Sequence, residues 1–314
     1  MRRAIALAGK SANPSPNPRV GAVILRDGKV VGTGFHERAG EPHAEILAIR
    51  KAGKKARGGE LVVTLEPCHH FGRTPPCSRE ILAAGIRRVS IGMLDPTTSG
   101  GGAEFLRKNG VAVGVGICEK ECRGLNRIWL RNAESEMPFV AVKMALDERD
   151  STIPKPGRKW ISSAKSRRAV AKMRRGFDAI AVGVGTILAD DPRLTVRGLR
   201  VNRQPVRIIF DPDERTPATA KVRNDGGETI LITRAEFANF DLRKILRELF
   251  ERGIRSIFLE GGMKTVGKFL DAGLVDEIFI FRKGARAKTK IWRGVRLARI
   301  GEFDGDTLFR GELK

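Results

Sequence analysis

A chain of two α/β domains is predicted by three observations. Segments of strand and helix character alternate through both halves. The 314 residues exceed what a single hydrophobic core ordinarily organises. Between the halves lies the polar run Glu134-Ser135-Glu136-Met137-Pro138, where a proline closes a connection. The expected domains are residues 1–136 and 137–314.

In the first half, Arg2 to Lys10 suits a short helix, and the prolines between Ser11 and Pro18 impose a loop. Val20 to Leu25 and Val30 to Phe35 are rich in β-formers, and Asp27-Gly28 between them signals a hairpin. After the turn Ala39-Gly40-Glu41-Pro42 a helix opens at His43 and runs through Ala52, with Ile46, Leu47 and Ile49 expected on its inner side. Leu61 to Leu65 reads as a buried strand delivering Cys68, and Ser78 to Ala84 as a helix that opens just after Cys77. Arg88 to Met93 and Val111 to Val115 are further strands; Ala103 to Lys108 and Ile117 to Leu130 are helices. Together they make a three-layer α/β sandwich. Cys118 and Cys122, four apart on the last helix, suit core packing.

The second half repeats the alternation. Strands are expected at Phe139 to Ala145, Ala179 to Val182, Val206 to Phe210, Thr229 to Thr233 and Ser256 to Leu259, with helices at Ser163 to Gly176, Leu242 to Arg252 and Thr265 to Ala272. Gly183-Val184-Gly185 and Glu260-Gly261-Gly262 stand at strand ends, where a backbone can approach a phosphate closely. Neither completes a dinucleotide-binding glycine fingerprint.

Composition narrows the classes. Lys and Arg exceed Asp and Glu by 23, spread over both halves: 22 basic against 13 acidic side chains up to residue 137, and 37 against 23 after it. Such a field attracts anionic substrates and phosphorylated cofactors. With no Tyr and 6% aromatic residues, stacking platforms for single-stranded nucleic acid are scarce, so no specific nucleic-acid partner is expected. Four cysteines in a chain this long do not form a disulfide framework, and the cytoplasm is the expected compartment. No stretch has the apolar length to span a bilayer, so no membrane partner is expected.

One constellation carries chemistry. His43-Ala44-Glu45 is followed by Glu66-Pro67-Cys68 and, after eight intervening residues, by Cys77. Taken singly, His43 fits a surface imidazole and each cysteine a buried apolar thiol. Jointly, one imidazole and two thiolates give zinc three ligands and leave a fourth position for water, the arrangement of a catalytic site. Glu45, two residues beyond the ligating histidine, can take a proton from that water and pass it to a leaving amine. The order H-x-E then P-C is that of zinc deaminases, with a longer second gap here.

The runs Pro16-Asn17-Pro18-Arg19-Val20-Gly21, His36 to Glu45, Thr64-Leu65-Glu66-Pro67-Cys68, and His70 with Gly72-Arg73-Thr74-Pro75-Pro76-Cys77 resemble the deaminase half of the bifunctional riboflavin-biosynthesis deaminase/reductases. Lys143, Trp160-Ile161-Ser162, Arg174, Gly183 to Thr186, Leu188 to Arg197, Glu260-Gly261-Gly262 and Leu274 to Glu277 resemble the reductase half. A nucleic-acid deaminase would leave Thr186 to Arg197 unexplained. The resemblance implies a cytidine-deaminase-like sandwich followed by a dihydrofolate-reductase-like domain. It also implies zinc and NADPH as cofactors, a phosphorylated pyrimidine as substrate and a homo-oligomer. It assigns zinc to His43, Cys68 and Cys77 and proton shuttling to Glu45, and it puts Asn17, His70, Arg73 and Thr74 on the deaminase's substrate side. In the reductase it puts Trp160, Thr186, Asp190 and Gly262 beside the cofactor and Arg174, Leu194, Arg197 and Glu260 beside the substrate. This chain departs from the family at Met144 to Asp150, where the Ser of a Ser-Leu-Asp-Gly run is missing and a charged cluster, with no Gly after Asp147, replaces a tight turn. Backbone strain at Glu148 and a lowered NADPH affinity are expected from that departure.

Overall fold

In the computed structural model the chain divides into two units, Met1–Ser135 and Glu136–Lys314. The structure describes residues 1–71, 75–154, 156–157, 160–201, 203–284 and 295–313.

The first unit runs α1 (Arg2–Ala8), β1 (Gly21–Arg26), β2 (Lys29–Phe35), α2 (Ala44–Ala52), β3 (Glu60–Leu65), α3 (Cys77–Ala83), β4 (Arg88–Met93), α4 (Gly102–Lys108), β5 (Ala112–Val115), α5 (Glu119–Leu125) and α6 (Arg127–Ser135). Its sheet has the order β2-β1-β3-β4-β5. The pairs β1–β2 and β1–β3 are antiparallel, whereas β3–β4 and β4–β5 are parallel. The Asp27-Gly28 signal holds: both residues take positive φ (50° and 73°), as a tight hairpin turn requires. Helix α3 touches both α2 and α4, and α1 and α5 pack together. Ile24, Leu61, Val63, Ile91 and Leu106 fill the core between them.

Two expectations for this unit change. The inner face of α2 is Ala44, Glu45, Ala48 and Ala52, while Ile46, Leu47 and Ile49 are only partly buried. The reason lies in β2: a Cβ on Gly32 would stand 2.2 Å from the Ala48 carbonyl, and one on Gly34 2.2 Å from that of Ala44. Backbone meets backbone there, and larger side chains have no room. The helix expected over Ile117 to Leu130 is two helices that meet at Asn126. The buried Asn126 amide pairs with both backbone groups of Arg19, accepting from its N–H (2.7 Å) and donating to its carbonyl (3.0 Å).

The second unit contains β6 (Phe139–Leu146), α7 (Ala164–Arg174), β7 (Ala179–Gly183), α8 (Val184–Asp190), β8 (Val206–Phe210), α9 (Lys221–Asn224), β9 (Thr229–Ile232), α10 (Leu242–Glu251), β10 (Ser256–Leu259), α11 (Met263–Asp271), β11 (Glu277–Lys283), β12 (Arg296–Phe303) and β13 (Asp306–Glu312). Its sheet has the order β12-β13-β11-β6-β10-β7-β8-β9. Strands from β11 to β9 run parallel, and the β12–β13 hairpin adds an antiparallel margin. Strands β7, β8 and β10 are buried at every residue, which is why they read as largely apolar runs, interrupted by Arg207 in β8 and Ser256 in β10. Val140, Phe210, Leu246 and Phe269 belong to one core and Ile180, Val182, Ile209 and Leu194 to another, so both faces of the sheet are covered. Strand β12, largely exposed and carrying Arg296 and Arg299, lacks the apolar alternation that would mark it in the sequence.

Candidate active sites

At the carboxyl end of β3 the first unit gathers the predicted ligands. His43 is the N-cap of α2, Cys77 opens α3, and Cys68 follows β3. Their ligand atoms lie within 4.8 Å of one another: His43 Nδ1 is 3.1 Å from Cys77 Sγ and 3.6 Å from Cys68 Sγ. The Cys77 N–H points at Cys68 Sγ (3.4 Å), a backbone donor that favours a thiolate. A hydrogen bond from the Cys77 thiol holds Cys68 down to about 4, against burial and with help from His43. The same pairing, with burial, pushes Cys77 up. Two sulfurs and one imidazole nitrogen converging on one point fit zinc, which would deprotonate both thiols on binding.

Glu45 lies in the first turn of α2, buried against the sheet. Burial pushes its carboxyl up to about 7, opposed by His43 and by a hydrogen bond from Cys77. A carboxyl poised there can exchange a proton near neutrality. Asn17 donates its Nδ2 hydrogen to His36 Nε2 (3.0 Å), and the other ring nitrogen of His36 faces the Pro42 carbonyl (3.2 Å). Buried His36 also stands edge-on to the His43 ring, 5.6 Å between centroids. His70, two residues beyond Cys68 in the chain, is exposed; Arg73 and Thr74 lie outside the described residues.

Glu66 is a site residue that composition and spacing did not reveal. Its buried carboxylate accepts from the N–H groups of Asp95 (3.1 Å), Gly101 (3.1 Å) and Ala103 (2.9 Å). It thus ties the chain just before Cys68 to the start of α4. The only sequence signal was its adjacency to Pro67-Cys68, and a carboxylate there says nothing of which amides it will meet.

In the second unit a cavity of about 390 Å³ opens beyond the ends of β7 and β8 and the start of α11. Thr186, Asp190 and Gly262 line it, with Gly183, Arg215 and Lys264. Gly183 packs closely on α11: a Cβ there would stand 2.2 Å from Thr265 Oγ1, so a side chain would have to displace Thr265. Trp160 is not among the lining residues. It is half-exposed, with the Arg167 guanidinium 5.2 Å over its ring. A separate buried cluster joins Glu260 to Arg174 (2.5 Å) and to Lys143 (3.5 Å), and Arg174 donates to the Thr195 carbonyl (3.0 Å). Burial would raise the Glu260 carboxyl, yet Arg174 and Lys143 hold it below its ordinary value. Arg174 and Glu260, expected on the substrate side, are therefore brought together, with Lys143 as a third member. The Leu194 side chain is packed into the core, so only its backbone could meet a substrate, and Arg197 is exposed. The strain expected at Glu148 falls elsewhere: the left-handed residue is Asp150 (φ 66°), a residue type that tolerates it.

The three-layer fold with its His–Cys–Cys cluster and buried glutamate, followed by an α/β unit with a cofactor-sized cavity, defines a zinc-dependent deaminase joined to a reductase domain. Residues 1–93 match the cytidine and deoxycytidylate deaminase zinc-binding region, and residues 139–283 match the RibD C-terminal domain. The chain is 44% identical over 303 residues to the riboflavin biosynthesis protein RibD of Aquifex aeolicus, covering 90% of this chain and 85% of that one. It is 36% identical over 314 residues to RibD of Escherichia coli, covering 90% and 86%. A crystal structure of a diaminohydroxyphosphoribosylaminopyrimidine deaminase/5-amino-6-(5-phosphoribosylamino)uracil reductase from Thermotoga maritima superposes with a TM-score of 0.87 at 34% identity, over 100% of this chain and 97% of that one. The chain belongs to the RibD family, the bifunctional deaminase/reductases of riboflavin biosynthesis. Zinc serves its deaminase domain and NADPH its reductase domain. Among the described residues no helix is long and apolar enough to cross a membrane.

Proposed function

We propose that the first unit hydrolytically deaminates 2,5-diamino-6-(5-phosphoribosylamino)pyrimidin-4-one. The second then reduces the ribosyl side chain of 5-amino-6-(5-phosphoribosylamino)uracil to ribityl. The observation that carries this reading is the convergence of His43, Cys68 and Cys77 beside buried Glu45, in a chain that also holds the Thr186–Gly262 cavity.

His43, Cys68 and Cys77 hold zinc, which supplies a Lewis acid that makes water a competent nucleophile at neutral pH. Glu45 accepts the proton of the attacking water on its carboxylate and delivers it to the departing amine nitrogen. Asn17, oriented by His36, and His70, with Arg73 and Thr74, bind the substrate; the Arg73 guanidinium suits its phosphate. Thr186, Asp190 and Gly262 bind NADPH, which supplies the hydride, and Trp160 takes part on the cofactor side. Arg174 and Glu260 orient the sugar, with the Leu194 backbone and Arg197 beside them. The same reading has the protein act on free nucleotides in the cytoplasm as a homo-oligomer; the four free cysteines suit a reducing compartment.

The test is incubation of the purified protein with the diaminopyrimidinone phosphate, with and without NADPH. The expected product is the aminouracil without cofactor and the ribityl compound with it, each identified by mass. Glu45→Gln is expected to retain about one zinc per chain and to lose deamination. Loss of zinc in that variant, or full activity, would remove Glu45 from the proton-transfer role.

A further inference from the structure

Arg282 is an arginine buried in the middle of a sheet. It lies on β11 between β6 and β13, paired in register with Leu146 and Thr307, and its side chain is 3% exposed. A buried guanidinium is costly unless its charge and donors are met. Part of that demand is met by one short segment: Nη1 forms an ion pair with Asp150 Oδ1 (2.9 Å), and Nη2 donates to the Glu148 carbonyl (3.3 Å). That segment leaves the end of β6 and is closed on itself. The Asp147 carboxylate accepts from the N–H groups of Arg149 (2.8 Å) and Ser151 (2.9 Å), the Asp147 N–H donates to the Ser151 carbonyl (3.0 Å), and Ser151 Oγ accepts from the Ile153 N–H (3.0 Å). Thr152 and Ile153, the next residues, line the reductase cavity, and Ile153 leaves its apolar side chain 74% exposed there.

We propose that Arg282 and Asp150 form a positioning strut that sets the Asp147–Ile153 segment as a wall of the cofactor cavity. The chain of contact runs from the sheet interior to the cavity mouth without a gap: guanidinium, Asp150 and the Glu148 carbonyl, the Asp147–Ser151 turn, then Ile153. The strut also neutralises Asp150, removing one of the carboxylates that would oppose an anionic dinucleotide. The charged run therefore carries part of its own compensation, because the partner of Asp150 is built into β11. A planar ring laid in the cavity would cover Ile153 and contribute apolar burial that depends on the wall being in place.

This inference rests on the reading of the cavity as the NADPH site, and the experiment separates the two. The full-length, zinc-loaded protein and its variants Arg282→Met, Asp150→Asn, the two combined, and Thr186→Phe are titrated with NADPH by nicotinamide fluorescence. Binding of the aminouracil phosphate, deamination turnover and thermal midpoint are measured alongside. Arg282→Met and Asp150→Asn are each expected to weaken NADPH by about tenfold, with aminouracil affinity changed by less than about twofold. Deamination should be untouched, and the combined variant should be no worse than the poorer single one, since the two side chains act as one unit. Asp150→Asn preserves shape, so it reports even if Arg282→Met folds poorly. Wild-type NADPH affinity in both single variants would overturn the strut. So would parallel loss of both ligands with the thermal midpoint, which would make the pair a general support of the fold. Unchanged NADPH binding in Thr186→Phe, where the ring fills the cavity, would sink the cavity reading and the strut with it.

Discussion

His43, Cys68 and Cys77 were legible as a candidate zinc set because zinc restricts its ligands to few residue types, at spacings a strand–helix step enforces, and Glu45 by its place two residues after His43. Glu66, His36 and Lys143 were not legible as site residues, because each acts through partners distant in sequence: Glu66 through residues 95 to 103, His36 through Asn17, Lys143 through Glu260. The Glu260 cluster yields a pH prediction. Its carboxyl is held below the ordinary 4.5 by Arg174 and Lys143 against the effect of burial. A depressed folded value means that its contribution to stability is complete above the ordinary value and lost as pH falls through the lowered one. Glu260→Gln should therefore flatten the acid limb of stability below about pH 4.5 and abolish the pairing that orients Arg174 at every pH. Urea titrations across that range would show it; an unchanged acid limb would remove Glu260 as its source.

Among elements, the parallel strands β6 to β10 were legible because burial writes them as largely apolar runs, whereas the α2 face, the parallel strand β11 and the β12–β13 hairpin were not. Sequence pattern put isoleucine and leucine inside α2, but the glycines of the opposite strand admit only alanine. Gly34→Ala is expected to destabilise the first unit by about 1–3 kcal/mol and to lower deamination, because its Cβ would press on the Ala44 carbonyl in the turn that carries His43 and Glu45. Denaturation midpoints and zinc content measure this, and wild-type behaviour would show that α2 can yield. In the second unit, Arg207 on β8 is 1% exposed and bonded to Asp225 and to the carbonyls of Gly227, Glu228 and Arg193. Arg207→Ala leaves these groups without their donor and should cost about 3 kcal/mol or more. A loss below about 1 kcal/mol would mean the loops rearrange around the gap.

For the molecule as a whole, separate cores in the two units predict separable failure. A zinc chelator should abolish deamination and leave NADPH-dependent reduction of supplied aminouracil intact; joint loss would show that the reductase depends on the metal. The excess of 23 positive charges, shared by both halves, should make kcat/KM for phosphorylated substrates fall several-fold between about 0.05 and 0.5 M salt, with dephosphorylated analogues little affected. Neither the two cores nor the charge excess tells how α2 is seated, and that seat has its own consequence. Where a helix rests on a sheet through glycine and alanine, no side-chain rotamers lie between the two backbones. The disorder that longer side chains would contribute is absent beneath His43 and Glu45, so, on the proposed reading of these two residues, much of the entropy of aligning them is lost once at folding and not at each turnover.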